Sequence, residues 1–490
     1  MTITVADLFL ISPLLLLTGA AVLAMSAIAI GRNYMATAVI TVAGLLLSAA
    51  SAMPLIATAN QQVTPLLIID PFSLFFTVVI CLSASLIAIL SYPFLKDLDD
   101  DREEYFLLLS VATVGAVVLV SSNHFVSALL GLETLSMSLY GMVAYTVHSN
   151  KADKYPLEAS VKYLVLSAAA SGFLLFGMAL IYGQTGTLSF FSLVDLPETN
   201  MHSLGAGFSV VGLLLITAGL AFKLSLAPFH MWTPDVYEGA PLPATTYLAT
   251  VGKAAVFVVL LRLIETSEAL SINGMLTVLS LLAVVSILAG NLLALLQQNV
   301  KRLLAYSSIA HMGYLLIAVV ASYYVEGRIG IEAISFYLVA YVIMTIGAFG
   351  VASMVSSSDK ERDVIDDYQG LFWRQPILAA VFTGMMLSLA GIPLTVGFIG
   401  KFYLFFAGVE AALWPLLAAL IVGSGIGLYY YLRIIYRMIE PAADGEDICI
   451  GFSIASGSYG VVLCLSLLLL CLGVYPAPII SLIEVISAYV

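Results

Sequence analysis

The sequence has little charge. Only 10% of its 490 residues are Asp, Glu, Lys or Arg, whereas 61% are hydrophobic, and a typical soluble domain is roughly 25% charged. So few polar groups cannot cover a water-soluble fold, and we therefore predict an integral membrane protein. The net charge of −12 argues against nucleic acid as a partner, because phosphates attract basic surfaces.

Motifs for metals and cofactors are also missing. The VGFIGKF stretch around Lys401 lacks the first glycine and the final Ser or Thr of a P-loop. Gly423, Gly425 and Gly427 lie in an apolar run with no strand before it, which excludes a dinucleotide loop. The cysteines have no C-x-x-C, zinc or iron–sulfur spacing, and we interpret them as packing residues: Cys81, Cys449, Cys464 and Cys471. We expect no metal and no cofactor bound by this chain, so energy must come from an ion gradient or a partner.

Long apolar runs are abundant. About 14 of them can cross roughly 30 Å of hydrocarbon at 1.5 Å per residue, and no connection exceeds about 22 residues. The amino-terminal run has no basic segment and no cleavage site, so we predict it to be the first span. The predicted spans are residues 7–30, 35–58, 71–95, 105–121, 124–147, 157–183, 206–228, 242–264, 274–297, 302–322, 331–355, 376–405, 411–436 and 456–486. The predicted fold is an all-α polytopic membrane protein without a soluble domain.

The basic residues predict the orientation. Of the 18 lysines and arginines, twelve fall in connections after odd-numbered spans, and two, Arg262 and Arg328, are assigned to connections after even-numbered spans. By the positive-inside rule the odd connections face the cytoplasm and both termini face the periplasm. The other four lie inside predicted spans: Lys162, Lys223, Lys253 and Lys401.

Two of these spans carry helix breakers beside a lysine. Pro228 follows Lys223 in span 7, and Pro393 with nearby glycines precedes Lys401 in span 12. A proline frees a backbone carbonyl and kinks or breaks the helix. Spans 7 and 12 are five apart and cross in opposite directions, the pattern of an inverted-repeat transporter with a midplane site. We predict spans 1–3 over residues 1–100, repeat 1 over 101–270, repeat 2 over 271–440 and a last helix over 441–490.

A line of ionisable residues is predicted near the midplane. Glu133, His311 and Lys253 each lie about ten residues into their spans, roughly 15 Å deep. Ser307 and Ser308 flank the histidine. A lysine removed from water loses part of its preference for the charged form, and a nearby carboxylate restores it. We hypothesise that opening a Glu133–Lys223 pair releases a proton from Lys223, which passes through water to Lys253 and on to Lys401.

Structural alternatives remain open for each residue. The lysines and Glu133 can form static ion pairs, and the histidine can bond to serine in a polar seam. Lys162 follows Glu158 by four residues at the cytoplasmic end of span 6, so a snorkelling pair is the favoured reading. The connection after span 7 holds three more polar residues that can either gather protons or cap the next helix: His230, Asp235 and Glu238.

Three segments carry a family resemblance. FKLSLAPFHMWTPDVYEGAP (222–241), NVKRLLAYSSIAHMGY (299–314) and LSLAGIPLTVGFIGKFY (387–403) resemble the proton-conducting antiporter-like family, which includes membrane subunits of bacterial NADH:quinone oxidoreductase, respiratory complex I. The similarity extends over essentially the whole chain and includes YQGLFW (368–373). The resemblance implies 14 spans, two inverted five-helix repeats with broken helices 7 and 12, and a hydrophilic axis across the membrane arm.

The resemblance also implies roles. By motif the family's proton-translocating residues are Glu133, Lys223, Lys253 and Lys401, with Lys162 as a further lysine. It implies a non-redox subunit of the H⁺-pumping enzyme in a bacterial inner membrane, partnered by other membrane-arm and peripheral-arm subunits. NADH, FMN, iron–sulfur clusters and quinone are then expected in those partners. The rivals are a subunit of a multisubunit sodium/proton antiporter, a membrane subunit of an energy-converting hydrogenase, and a passive spacer.

Overall fold

The computed structural model describes residues 5–57, 61–96, 101–147, 155–190, 204–267, 269–271, 274–325, 328–356, 361–441 and 456–489. Its α-helices are α1 (Val5–Leu10), α2 (Ser12–Ile30), α3 (Tyr34–Ala52), α4 (Pro71–Leu95), α5 (Glu104–Val120), α6 (Phe125–Val143), α7 (Pro156–Thr185), α8 (Leu204–Lys223), α9 (Trp232–Gly239), α10 (Leu242–Tyr247), α11 (Lys253–Thr266), α12 (Met275–Leu295), α13 (Val300–Tyr324), α14 (Ile329–Val355), α15 (Leu371–Arg374), α16 (Pro376–Ala390), α17 (Val396–Glu410), α18 (Trp414–Ile439), α19 (Ser456–Val474) and α20 (Ala477–Ile486). Strands β1 (Gln61–Gln62) and β2 (Ile68–Ile69) pair antiparallel in one connection.

The helices confirm the polytopic prediction. Within the described ranges, 11 helices are long and apolar enough to cross a membrane. The shorter apolar helices α5, α8 and α16 occupy the places of predicted spans 4, 7 and 12. Helices α13 and α14 are buried on almost every side, as expected of helices that are apolar all round. They form the centre of the molecule and carry His311 into it.

Both predicted helix breaks are present. Helix α8 ends at Lys223, residues 224–231 form turns, and α9 begins at Trp232. Helix α16 ends at Ala390, and α17 begins at Val396. Each break contains a non-glycine residue with positive φ, Ser225 at 64° and Leu394 at 70°, a conformation that L-residues adopt only when the surrounding structure fixes it. The chain therefore interrupts spans 7 and 12 in a similar way.

Three details differ from the prediction. Span 8 contains a π-helical turn, Leu248–Gly252, directly before Lys253, although the sequence has no proline there to announce it. The last span ends at Val474, because Pro476 and Pro478 interrupt the run and α20 starts anew. The assignment of Arg262 to a connection is wrong: it lies in α11.

Contacts between the connections confirm that successive spans alternate in direction. Odd-numbered connections meet one another at one end of the bundle, and even-numbered connections meet at the other. The odd contacts include Arg32 with Glu104, Asp235 with Arg302 and Arg437 with Asp366. The even contacts include Leu67 with Ser122 and Leu188 with Phe125.

Candidate functional site

Lys223 is the last residue of α8, where the helix breaks. Its ammonium donates to the Ser136 hydroxyl at 2.8 Å and to the Ser167 hydroxyl at 2.5 Å. Ser136 comes from α6 and Ser167 from α7, and the Tyr140 hydroxyl donates to Ser167 at 2.6 Å. Two helices, α6 and α7, thus supply three hydroxyl groups around one buried cation, and hydroxyl groups can both accept and donate protons.

Glu133 does not pair directly with Lys223. The half-buried carboxylate accepts a hydrogen bond from Ser171 instead, and no ion pair joins Glu133 to Lys223 among the described residues. Ser171 and Ser167 are one turn apart on α7, so they share a helix face. The closed ion pair predicted from the sequence is therefore replaced by a carboxylate and an ammonium that bind neighbouring serines of one helix.

Lys253 follows the π-helical turn of span 8 and is 1% exposed. Its ammonium donates to Ser308 at 2.7 Å and lies 5.7 Å from the centre of the Tyr237 ring. Cations within about 6 Å of an aromatic face are attracted by it. Single π-turns inside α-helices often occur at functional sites, and this one sets the register from which Lys253 faces α13.

His311 is bound by tyrosines and not by its serine neighbours. Its Nδ1 lies 2.5 Å from the Tyr337 hydroxyl, and its Nε2 lies 3.3 Å from the Tyr431 hydroxyl. Ser308, which the sequence places beside it, serves Lys253. On α13 the imidazole follows Ser308, which binds Lys253, and precedes Tyr314, whose ring lies 5.3 Å from the Lys401 ammonium. The histidine therefore lies between the two lysines of the second half of the site.

Lys401 is held by the broken helix itself. The ammonium donates to the carbonyl oxygens of Leu389 and Ala390, both at 2.9 Å. These carbonyls belong to the last turn of α16 and lack helical partners because the helix stops there, and the negative end of the helix dipole favours a cation. Gly391 has φ 88°, and a Cβ there would approach Lys401 Cδ to 2.9 Å. The break thus creates both the acceptors and the space for the lysine.

A polar cluster lies at the end of the bundle formed by the odd-numbered connections. Lys162 pairs with Glu158 at 2.8 Å, as predicted, and also with Asp235 at 3.0 Å. Arg302 contacts Asp235 at 2.8 Å and Glu238 at 2.7 Å. Asp235 therefore bridges two cations and does not cap the next helix.

His230 lies close by in the break of span 7. Its ring is buried at 8% exposure. Neither ring nitrogen has a hydrogen-bond partner in the part of the chain that the structure describes. Within the described residues, therefore, no hydrogen bond or ion pair joins it to Asp235 or Glu238.

The predicted ionisable residues are buried together in one belt. Lys223, Lys253, His311 and Lys401 are 7%, 1%, 1% and 8% exposed. The sequence prediction missed the hydroxyl groups that bind them. One available signal was spacing, because Ser136 follows Glu133 by three residues and Ser167 precedes Ser171 by four, which places each pair on one helix face.

No metal-binding constellation was found among the described residues, where no three or more His, Cys, Asp or Glu side chains are grouped suitably. Cys81, Cys464 and Cys471 are free thiols, whereas Cys449 lies outside the described residues. Two broken helices, alternating spans and a belt of buried cations with hydroxyl partners together define a multi-pass membrane protein of the ion-translocating type.

Comparison with known proteins gives the family. Residues 122–427 match the family described as NADH:quinone oxidoreductase/Mrp antiporter, transmembrane. A Methylococcus capsulatus protein named NADH-quinone oxidoreductase subunit N is 48% identical over 474 residues, which are 96% of this chain and 93% of that protein. The chain belongs to the NADH:quinone oxidoreductase/Mrp antiporter transmembrane family.

Solved structures agree with this assignment. A chain of respiratory complex I from Thermus thermophilus with bound aureothin is 33% identical, with a TM-score of 0.79, over 96% of this chain and 98% of that one. A chain of the Mrp complex from Dietzia sp. DQ12-45-1b gives a TM-score of 0.84 at 21% identity, over 99% of this chain and 98% of that one. The latter likeness supports the fold alone.

Proposed function

We propose that the chain is the N-type membrane-arm subunit of an NADH:quinone oxidoreductase and conducts protons through its buried belt. The observation that carries the proposal is the set of buried protonatable groups Lys223, Lys253, His311 and Lys401, each bonded to a hydroxyl or a carbonyl. In further support, the Methylococcus capsulatus relative that is 48% identical over nearly the full length is a subunit N.

The proposed cycle begins at Glu133. A charge change near this half-buried carboxylate alters the stability of the proton on Lys223, because Ser171 and Ser167 carry the two groups on one face of α7. Lys223 then releases its proton to water, or to the Ser167 oxygen while the Ser167 hydroxyl passes its own hydrogen to water. We propose that the proton released from Lys223 next reaches Lys253, the following amine of the belt.

The second half of the cycle runs from Lys253 to Lys401. His311 lies between the two lysines, and both of its ring nitrogens face tyrosine hydroxyls. An imidazole accepts a proton on one nitrogen and donates from the other, so it suits a transfer position. Lys401 receives the proton where the carbonyls of the broken helix α16 stabilise an ammonium.

The residue-level proposal fits an inverted-repeat arrangement, with α5–α11 and α12–α18 as the two repeats. In support, each break has one non-glycine residue in the left-handed region. Under the positive-inside rule the odd-numbered connections, with the Lys162 and Arg302 cluster, face the cytoplasm and both termini face the periplasm of a bacterial inner membrane. NADH, FMN, iron–sulfur clusters and quinone then belong to the partner subunits.

The first experiment asks which assembly contains the chain. Mildly solubilised membranes are separated on a native gel and stained for NADH dehydrogenase activity. The proposal expects the chain in a large, NADH-active assembly. Migration in a smaller, NADH-inactive assembly with sodium-dependent transport would favour a sodium/proton antiporter subunit, the rival that the family also contains.

The second experiment tests the belt. Lys223→Ala is compared with Lys96→Ala, a lysine on an exposed position after α4, by NADH-driven acidification of inverted membrane vesicles. The Lys223→Ala complex is expected to assemble and to lose most proton pumping, whereas Lys96→Ala pumps normally. Normal pumping by Lys223→Ala would contradict the proposed route and favour a passive spacer.

A further inference from the structure

Two glycines of the GSGIG run in α18, Gly423 and Gly427, face a buried amide. Asn291 of α12 is 1% exposed, and its Nδ2 donates to the Tyr314 hydroxyl at 2.9 Å and to the Ile287 carbonyl at 2.8 Å. Its Oδ1 accepts from the Tyr430 hydroxyl at 3.0 Å. Every polar atom of the Asn291 side chain is thus used, and the amide links α13 to α18.

Tyr314 connects this amide to the ion belt. The Tyr314 ring lies 5.3 Å from the Lys401 ammonium, within the range in which an aromatic face attracts a cation. The attraction depends on ring orientation, because only the face carries negative potential. Asn291 fixes the far end of this tyrosine by donating to its hydroxyl, and thereby holds the face toward Lys401.

The two glycines on this face of α18 leave room for the amide. A Cβ at Gly423 would approach Asn291 Nδ2 to 2.8 Å and the Tyr314 hydroxyl to 2.9 Å. A Cβ at Gly427 would lie 3.4 Å from Asn291 Oδ1. Gly425, between them, would meet nothing within 4 Å, as expected on the opposite side of a helix. Position 423 therefore has no room for a side chain. A methyl group at position 427 would just touch the amide, and one at position 425 would meet nothing.

We propose that Asn291 is a positioning residue for Lys401, that it acts through Tyr314, and that Gly423 makes the space for it. The inference rests on the proposed proton-conducting function and deepens it. It assigns a role to a buried polar group and to a glycine run that neither the belt nor the helix breaks explain.

Other groups also face Lys401, and the test must separate them. The titratable side chains around it in the described structure are His311 and Tyr314 on α13 and Tyr337 on α14, which packs on the neighbouring Gly400. Helix α16 presents backbone carbonyls. Loss of the Asn291 bond leaves these groups in place and releases only the tyrosine.

The test uses Asn291→Leu and Gly423→Ala, with Gly425→Ala as the matched control, in the whole complex in inverted vesicles. Asn291→Leu and Gly423→Ala are expected to slow pumping at least about fivefold, the effect of one lost buried hydrogen bond. They should also move the alkaline limit of pumping by about half a unit or more toward lower pH, because a freed ring stabilises the ammonium less. Gly425→Ala should leave both unchanged.

A second variant guards against failure of assembly. Tyr314→Phe removes only the hydroxyl, and it should give the same pH shift as Asn291→Leu, with no further shift in the double variant. Wild-type rate and pH profile in Asn291→Leu, or additive shifts in the double variant, would overturn the inference. Absence of NADH-driven pumping by the wild-type complex would instead count against the proposed function.

Discussion

A buried ion pair joins the start of α4 to α11. The side chains of Arg262 in α11 and Asp70 before α4 are 2% and 1% exposed. Both terminal nitrogens of the guanidinium, Nη1 and Nη2, donate to the carboxylate, at 2.8 and 3.0 Å. Asp70 also caps α4, because its carboxylate accepts from the Ser73 amide at 2.7 Å. One carboxylate therefore serves a helix end and a buried cation.

This arrangement predicts that the effects of removing the two charges are not additive. Arg262→Met leaves a buried carboxylate without its cation and should cost about 3–5 kcal/mol of unfolding free energy. Asp70→Asn strands the guanidinium and should cost a similar amount. The double variant removes both charges and keeps a capping side chain, since Asn and Asp are equivalent caps. It should therefore be far more stable than the sum of the single changes implies.

Cys81 provides the assay. It is a buried free thiol on α4, and replacing the other three of the four cysteines with serine leaves it as the single thiol. The rate at which maleimide labels Cys81, measured on this chain after the subunits of the detergent-solubilised complex are separated by denaturing electrophoresis, reports the open population of α4, provided that closing is fast. A loss of about 3 kcal/mol raises that rate roughly 150-fold. Slow labelling of Arg262→Met, or equally fast labelling of the single and double variants, would refute the reasoning.

Three further changes test the site. Ser167→Ala removes a hydroxyl bonded to Lys223 and should slow proton pumping by vesicles about fivefold or more. The control Ser138→Ala removes a hydroxyl that bonds only its own helix and should not slow pumping. Equal rates in the two variants would contradict the role of the Ser167 hydroxyl. Gly391→Ala forces a side chain to φ 88° against the lysine of α17 and should destabilise the complex by about 1–2 kcal/mol in thermal unfolding. The control Gly384→Ala adds a methyl group that meets nothing within 4 Å inside α16, and it should not destabilise the complex, because alanine is favoured over glycine in a helix interior. Lys162→Met should cost at most about 1 kcal/mol in the same assay, because exposed ion pairs contribute little; a larger loss would place the cluster among the main stabilising contacts.

The spans and the buried lysines were predictable because a charge in an apolar run is rare and costly. The helix breaks were also predictable, because prolines and glycines lie beside Lys223 and Lys401 in the sequence. Serines carry no comparable signal, since in a membrane helix they commonly bond a carbonyl of their own helix, as Ser136 also does. Which hydroxyl turns toward Lys223 depends on how α6, α7 and α8 pack, and a single sequence does not contain that information.

The sequence predicts a direct Glu133–Lys223 ion pair, but in the structure helix packing gives each group a serine partner instead. Two opposite charges at similar depth attract, but the end of α8 brings Lys223 between two helices that already offer hydroxyl acceptors. The π-turn before Lys253 was also not predictable, because its span is buried on all sides and has no hydrophobic stripe that a one-residue insertion would shift. Arg262 was misplaced for a similar reason: near the end of a predicted span, only its partner Asp70 reveals that it is buried.

The two broken helices hold their lysines by different chemistry, and that difference suggests a direction for transfer. Lys223 donates to the Ser167 hydroxyl, whose oxygen can take up a proton while its own hydrogen passes on. Lys401 donates to the carbonyls of Leu389 and Ala390, which only accept. A proton on Lys223 thus has a bonded neighbour through which it can leave, whereas a proton on Lys401 stays until water reaches the ammonium. The hydroxyl partner therefore makes Lys223 a transfer point, and the carbonyl partners make Lys401 a holding point. This difference favours proton movement from Lys223 toward Lys401.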